Sequence, residues 1–569
     1  MRRTFLSAWL VVAVLMGFVA LWLSACVQRT PICLACGPSA QPLRLPVSGM
    51  GDLRSLDPAD AADLNAAQFA GMVFPGLVVL DRRLTPVPWA AQSLPAVSAD
   101  GLTWTFTLRP GLKWSDGAPI TAQTYAYSMD RAEDPCNAFG AAYYLYAIKD
   151  AVAFNSETCD ASKNTARGPI QTLIGDSINA PDPLTLRIQL AQPATAFLSA
   201  MTYPTSYAVP QQLIQRYGAM WTDHLADGAG FGGDLFKVTK WDHAGHLILR
   251  RNDNFWGQKP ALREVDVTFY RDAALAYSDY LAGKEDVGSA PVEEVAQARR
   301  HMTFHQIAVQ QIDYYAMNWR MAPFDDIRMR QAFAIAIDKQ TLASDIFHGA
   351  VLPTNHIVPE GAPGYNPNLL GPDGGRTLFG NVALANQLAT QYATQTKCGT
   401  ATDFSHCPPV SLALYASGGS AQTEAEAVTQ MWLKAMPHYP ITSYQCCGGL
   451  FTTTSAHNLQ FWSLSWIEDY PDPQDWLSTN LLCASAYNNG NACDQQADAL
   501  LKAADANPDQ TSRLQQYQQA EQLLVTDVAW IPLDQRTVWW ETSPKLQGFT
   551  IAATGLIPRE SWQTMYLVR

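Results

Sequence analysis

The sequence predicts a mixed α/β protein of more than one domain, from three observations. Its 569 residues exceed what a single hydrophobic core usually serves. Hydrophobic residues make up 48% and charged residues 16%, which supplies ample apolar surface and excludes a disordered chain. Stretches alternating at period two are interspersed irregularly with stretches at helical spacing, which favours mixed sheet and helix over an all-helical chain. The 38 Lys+Arg and 51 Asp+Glu give a net charge of −13. That balance argues against a nucleic-acid binder, which needs a basic face to neutralise phosphates. The 17 Trp and 22 Tyr supply rigid surfaces with one polar handle each, suited to cores and to ligand clefts alike.

The elements follow in chain order. Arg2 and Arg3 precede an apolar run from Phe5 to Leu23, a charged n-region followed by a hydrophobic h-region. The run ends in Leu23-Ser24-Ala25-Cys26, which resembles the lipobox of bacterial lipoproteins. The reading is a signal peptide over residues 1–25, with Cys26 as the lipidated residue that anchors the chain to the membrane. An uncleaved membrane anchor is the competing reading of such a run. Either one leaves the remainder on the extracytoplasmic face of the cell membrane, since no later segment has 18 uninterrupted apolar residues.

Residues 26–46, with Pro31, Gly37, Pro38, Pro42 and Pro46, read as a linker. Of the 11 Cys, Cys26 apart, an even number remains, which in an exported chain reads as a disulfide set. Cys136 with Cys159, Cys398 with Cys407 and Cys483 with Cys493 are the near-neighbour candidates, although sequence alone does not fix connectivity. Cys33-x-x-Cys36 has no second such pair to complete a zinc site.

Asp100-Gly101 signals a turn, and Thr103 to Leu108 alternates as a half-buried strand. Leu247–Leu249 and Val265–Tyr270 are further strands. Asp326 caps a helix whose Met329, Phe333, Ala336 and Ile337 share a face. A second helix starts near Asp509, with Leu514, Tyr517, Glu521 and Leu524 in register. Trp530–Leu533 after it reads as a short buried strand.

Motifs for catalysis are absent. The chain has no His-Glu-x-x-His, no Gly-x-Ser-x-Gly and no phosphate loop ending in Gly-Lys-Ser/Thr. Gly228-x-Gly230-x-x-Gly233 follows no apolar strand, so it does not read as a dinucleotide site. His243-x-x-His246 and His301-x-x-x-His305 lack a third metal ligand. We therefore expect no catalytic residue, no cofactor and no metal.

Five blocks in order carry a resemblance. They are Phe74-Pro-Gly-Leu77; Trp104-Thr-Phe-Thr-Leu-Arg-Pro-Gly-Leu-Lys-Trp-Ser-Asp-Gly-Ala-Pro-Ile-Thr-Ala122; Arg251-Asn-Asp-Asn-Phe-Trp256; Asn318 to Lys339; and Trp466-Ile-Glu-Asp-Tyr-Pro-Asp-Pro473. Together they resemble the extracytoplasmic solute-binding proteins of peptide (oligopeptide and dipeptide) ABC importers. Two departures stand out: Pro75 where the family often has Glu, and Gly228 to Phe236 where it usually reads Gly-Thr-Gly-Pro-Tyr.

The resemblance implies a two-lobed periplasmic-binding-protein-like α/β fold, with a hinge and an extra inserted domain. By block position, lobe one comprises 47–87, 205–308 and 541–569, the inserted domain 88–204, and lobe two 309–540. It also implies a peptide as ligand and ABC permease subunits as partners. A receptor tolerant of side chains must hold what all peptides share, the α-ammonium first. Asp469 is the candidate partner of that ammonium, with Trp466 and Tyr470 in the same block and Ser465 just before it. Asp472, flanked by Pro471 and Pro473, reads instead as a turn residue. Another cargo on the same fold, such as a metal chelate or an oligosaccharide, is the runner-up, and a secreted hydrolase is a more distant one.

Overall fold

A computed structural model of the chain describes residues 41–61, 63–243, 245–415, 419–446 and 458–568. Among them, three sheets of four or more strands carry the architecture. The first has the spatial order Leu43–Ser48, Glu264–Tyr270, His246–Arg251, Phe236–Trp241. Leu43–Ser48 is an edge strand, parallel to Glu264–Tyr270 and in register from Leu43↔Val265 to Ser48↔Tyr270.

That strand corrects one boundary: it begins inside the segment read as linker. Leu43, Leu45 and Val47 point into the core at 0%, 6% and 7% exposure. The prolines mask this alternation in the sequence. An edge strand tolerates Pro46, however, because one side of it needs no ladder donor.

The second sheet has the order Ala96–Val97, Thr103–Thr107, Thr185–Gln189, Ile178–Asp182, and the helix Ala122–Glu133 packs near it. All its strands lie within residues 88–204. Trp104, Phe106 and Ile188 from this sheet share one continuous core with Leu43, Val265 and Val267 from the first.

The third sheet has the order Val287–Gly288, Trp530–Thr542, Phe304–Met317, Phe461–Ile467, Val410–Leu414, Ile441–Gln445. It is covered on both faces. Phe304–Met317 sends Tyr315 and Met317 to one core and Tyr314 and Ala316 to the other, as the period of two requires. The first of these cores takes helices Ile327–Ile335, Val382–Thr396 and Gly419–Ala435, and the second takes Gln495–Asp505 and Gln510–Thr526. Asp326 caps its helix by accepting from Arg328 N at 2.9 Å, and Asp509 caps Gln510–Thr526 by accepting from Ser512 N at 2.8 Å.

Two long strands run through the lobe boundaries drawn from the sequence. The cut at 308/309 falls inside Phe304–Met317 and the cut at 540/541 inside Trp530–Thr542. The two strands pair antiparallel from Phe304↔Glu541 to Ala316↔Trp530, with a break in register between Ala308 and Ile312. Trp530–Thr542 is thus a 13-residue strand and not the short one expected. Its polar Asp534, Gln535 and Arg536 hid its length; Asp534 and Gln535 are buried in the sheet, and half-buried Arg536 pairs with Asp313 on the neighbouring strand.

Among the described residues no helix is long and apolar enough to cross a membrane. The signal-peptide reading, Cys26 and the Cys33/Cys36 pair fall outside the described residues.

Candidate functional site

A cavity of about 120 Å³ lies where distant parts of the chain meet. Helix Leu64–Val73 contributes Leu64, Gln68 and Gly71 to its wall; Thr202–Tyr207 contributes Tyr203; the C-terminal segment contributes Ile557 and Arg559. Opposite them in sequence stand Glu468 and Asp469, just beyond strand Phe461–Ile467. Asp63 fixes the start of the helix by accepting from Asn65 N and Ala66 N at 2.9 and 3.0 Å. Gln68 then ties the helix to Ile557, whose N–H it accepts at 2.6 Å.

Glu468 continues, by one rung, the antiparallel ladder that pairs Gln311 with Ile467. Glu468 N–H donates to Gln310 O at 2.8 Å, and Gln310 N–H donates to Ala553 O at 2.8 Å. Gln310 lies between Ala308 and Ile312, where the ladder loses register. The irregularity leaves Gln310 N–H free to bond Ala553 of the C-terminal segment.

Asp469 accepts from Tyr143 OH at 2.7 Å and Tyr144 OH at 2.6 Å, and its N–H donates to Asp475 Oδ2 at 3.1 Å. Asp475 also accepts from Trp466 Nε1 at 3.1 Å. Glu468 Oε1 accepts from Trp476 Nε1 at 3.2 Å, while its Oε2 is buried without a partner. The electrostatics are one-sided. Among the described residues no ion pair reaches any of these three carboxyls. Burial therefore pushes Asp469 up to about 6 despite the two tyrosine donors. Burial and the neighbouring acids push Glu468 up to about 8, and Asp475 is raised as well.

Aromatic rings wall this acidic group. Tyr143 stacks on Tyr144 at 4.5 Å and Tyr144 on Tyr203 at 3.8 Å. Tyr487 stands 6.0 Å from Tyr143 and 6.1 Å from Trp466. A carboxylate has about four lone-pair sites, so the tyrosines leave Asp469 room for a further donor.

Of the four site residues read from the sequence, Ser465, Trp466, Asp469 and Tyr470, only Asp469 lines the cavity. Ser465 Oγ instead donates to Asp313 Oδ1 at 2.7 Å, inside the sheet. Trp466 holds Asp475, and Tyr470 OH bonds Gln474. Ser465 stands directly opposite Asp313 on the paired strand, so their side chains share one face of the sheet and meet there. Asp472 caps helix Pro473–Trp476 and forms a buried pair with Arg513 at 2.5 Å.

Sequence reasoning missed Glu468, Tyr143, Tyr144, Tyr203 and Arg559. The adjacent Tyr143-Tyr144 pair was the one visible signal, since two neighbouring tyrosines place two hydroxyls within reach of one acceptor. Cys136–Cys159, Cys398–Cys407 and Cys483–Cys493 are joined, with Cα separations of 4.9, 4.6 and 4.8 Å. The histidines pair separately: His243 with Asp52, His246 with Asp266, and His301 with Glu541.

Comparison with known proteins adds the family. Residues 85–488 match the family model for bacterial extracellular solute-binding proteins, family 5, middle region. The chain is 24% identical over 507 residues to the oligopeptide-binding protein OppA of Bacillus subtilis (strain 168), covering 88% of this chain and 89% of that one. It is 27% identical over 523 residues to the periplasmic murein peptide-binding protein MppA of Escherichia coli (strain K12), covering 90% and 91%. In structure it resembles the Escherichia coli murein tripeptide binding protein MppA, with a TM-score of 0.71 at 24% identity over 94% of this chain and 100% of that one. It also resembles Haemophilus influenzae OppA in complex with the peptide RPPGFSPFR, with a TM-score of 0.72 at 19% identity over 93% and 99%.

Proposed function

The chain belongs to the family 5 bacterial extracellular solute-binding proteins, and from that premise we propose that it is a peptide receptor of an ABC importer. It holds a peptide between its two lobes outside the membrane and hands it to the permease subunits. Relatives named for oligopeptides, dipeptides and murein peptide support the cargo. Lipid on Cys26 keeps the receptor at the membrane surface.

One observation carries the reading: the carboxyls of Glu468 and Asp469 line the cavity, that of Asp475 stands behind them on the Asp469 N–H, and among the described residues no ion pair reaches any of the three. Unbalanced buried carboxylates are costly unless a cation arrives. Every peptide brings one, its α-ammonium, whose N–H groups fit the acceptor sites that Tyr143 and Tyr144 leave open on Asp469. Closing the lobes strips water from this pair and strengthens it. The peptide leaves chemically unchanged, as release to a permease requires.

Native mass spectrometry of the full chain, purified in mild detergent from its own cell type, tests the reading. The expected result is bound material whose masses and fragments are those of peptides with free N-termini. Bound sugars or metal chelates would favour the runner-up cargoes, and turnover of a bound peptide would indicate a hydrolase.

A further inference from the structure

Arg299 stands at a second place where the two bodies of the molecule meet. It follows helix Val295–Ala298, and Ala298 packs with Tyr277 of helix Ala273–Leu281, which lies on the first sheet. Its guanidinium reaches the other body. Nη2 donates to Gly349 O at 2.6 Å and Nη1 to His348 O at 3.1 Å. Both carbonyls belong to the turn before strand Val351–Pro353, which pairs with Trp530–Thr542 in the third sheet. Nη2 and Nε also donate to Gln306 Oε1 at 2.8 and 3.2 Å. Gln306 Nε2 in turn donates to Thr537 Oγ1 at 2.7 Å, and that hydroxyl donates to Ala350 O at 2.7 Å. Three successive carbonyls of one turn, those of His348, Gly349 and Ala350, are thus held by Arg299 and by the long strands.

The turn is shaped for this contact. His348 and Gly349 are both left-handed, at φ +49° and +76°. Gly349 N–H donates to Ala343 O at 2.8 Å, and Phe347 packs with Ala343 and Val351, so the turn is tied to its own body. A Cβ built on Gly349 would come 2.9 Å from Arg299 Nη1, which leaves no room for a side chain there. A cavity of about 220 Å³ lies beside these bonds, lined by Val292 from one body, Phe347 and Ala350 from the other, and Arg536 and Trp539 from the long strand. The two bodies are therefore not packed tightly at this point. Polar bonds bridge a gap.

Resting on the peptide reading for the ligand, we propose that Arg299 is a latch: it holds the two lobes in the joined arrangement and so sets how fast a ligand exchanges between them. A guanidinium presents its N–H groups in a rigid fork, which suits two adjacent carbonyls and an amide oxygen at once. Its bonds are charge-assisted, yet every acceptor is neutral, so no ion pair has to be broken when the lobes part. Arg299 is exposed, and water can replace each acceptor on opening. The buried pair of Arg513 with Asp472 has no such exit and serves the fold. Tyr143 and Tyr144 also bind the lobes together, but through Asp469, which a ligand's ammonium must share. Arg299 does not line that cavity, so its hold does not depend on the ligand.

The test compares the full chain in mild detergent with Arg299→Met, Arg299→Lys and Gly349→Ala. Small-angle neutron scattering, with the detergent contrast-matched, reads the compactness of each protein after dialysis to remove bound material. Arg299→Met should shift the ratio of joined to parted molecules about tenfold toward the parted form, the range for a hydrogen bond to a charged group, and so raise the radius of gyration. Arg299→Lys should do nearly the same, because an ammonium keeps the charge and loses the fork. Gly349→Ala displaces the guanidinium from the opposite lobe. It should act in the same direction and add little to Arg299→Met, since both remove one contact. Native mass spectrometry then follows the loss of co-purified material after dilution, whose half-time should shorten about tenfold in Arg299→Met. Unchanged scattering in Arg299→Met would overturn the latch. So would a Lys variant that scatters as wild type, or effects of the two sites that simply add. Co-purified material other than peptide would sink the peptide reading, and the scattering would still decide the role of Arg299.

Discussion

Asp469 and Asp472 stand three residues apart and do opposite jobs. Asp472 is neutralised within the protein by Arg513, which is 1% exposed at its side chain. Asp472→Asn leaves that guanidinium buried and uncompensated, and should cost about 3–5 kcal/mol of stability. Chemical denaturation checks this: a loss below 1 kcal/mol would mean that the pair is not needed. Asp469 has no internal cation, so its charge is available to a ligand. Burial holds its carboxyl up to about 6 and that of Glu468 up to about 8, from ordinary values of 3.8 and 4.5. The unliganded fold thus keeps protons that the unfolded chain releases, and its stability falls as pH rises through that window. A bound ammonium favours the charged forms, so peptide affinity should rise between pH 5 and pH 7, by up to about tenfold per unit. Calorimetry across that range reads it directly. A flat profile would place the ammonium elsewhere.

The same residues show what the sequence made legible. Asp469 was singled out by its place in the Trp466–Pro473 block, and its side chain stands on the cavity wall. Glu468, its neighbour, was passed over because nothing local says which of two adjacent acids faces a cavity. Tyr143 and Tyr144 lie 326 and 325 positions away from Asp469, and only tertiary packing brings them to that carboxylate. Arg559 is equally invisible, since its partner Asp234 is 325 positions away.

At the level of elements, local signals succeeded where they were self-contained. The helices after Asp326 and Asp509 combine a capping side chain with apolar spacing, and both features are read within a few residues. Strand Trp530–Thr542 failed because Asp534 and Arg536 break its apolar run. Their charges are tolerated only because Asp313 on the neighbouring strand meets Arg536. The loop closed by Cys483–Cys493 is also self-contained, with a sequence separation of 10. Opening it with Cys483→Ser and Cys493→Ser should cost about 2–3 kcal/mol, the loop-closure entropy returned to the unfolded chain. Tyr487 lies within this loop and walls the acidic group through Tyr143 and Trp466. The double variant should therefore bind peptide more weakly as well as melt earlier. Unchanged binding at a temperature where the variant is folded would show that the loop serves stability alone.

For the whole molecule, two long strands cross the lobe boundaries and lose register where Gln310 meets both Glu468 and Ala553. Their pairing shifts register twice, between Ala308 and Ile312 and between Asp313 and Tyr314, and such irregularities bend paired strands, which suits two lobes closing around a ligand. The membrane end is a separate expectation. Cys26→Ala should leave the precursor unprocessed and without lipid, and fatty-acid labelling of the mature protein in that variant would refute the anchor.

The central claim is that Asp469 holds the peptide's ammonium, and a four-way calorimetric cycle tests it most directly. Wild type and Asp469→Asn are each titrated with one peptide and with its N-acetylated form. Asp469→Asn keeps the shape and removes the charge, so it should lose roughly 3–5 kcal/mol, over a hundredfold in affinity. Acetylation should cost wild type a comparable amount and cost the variant little more, because both changes remove the same pair. If the two losses simply add, or if wild type binds the acetylated peptide as tightly as the free one, Asp469 does not hold the ammonium.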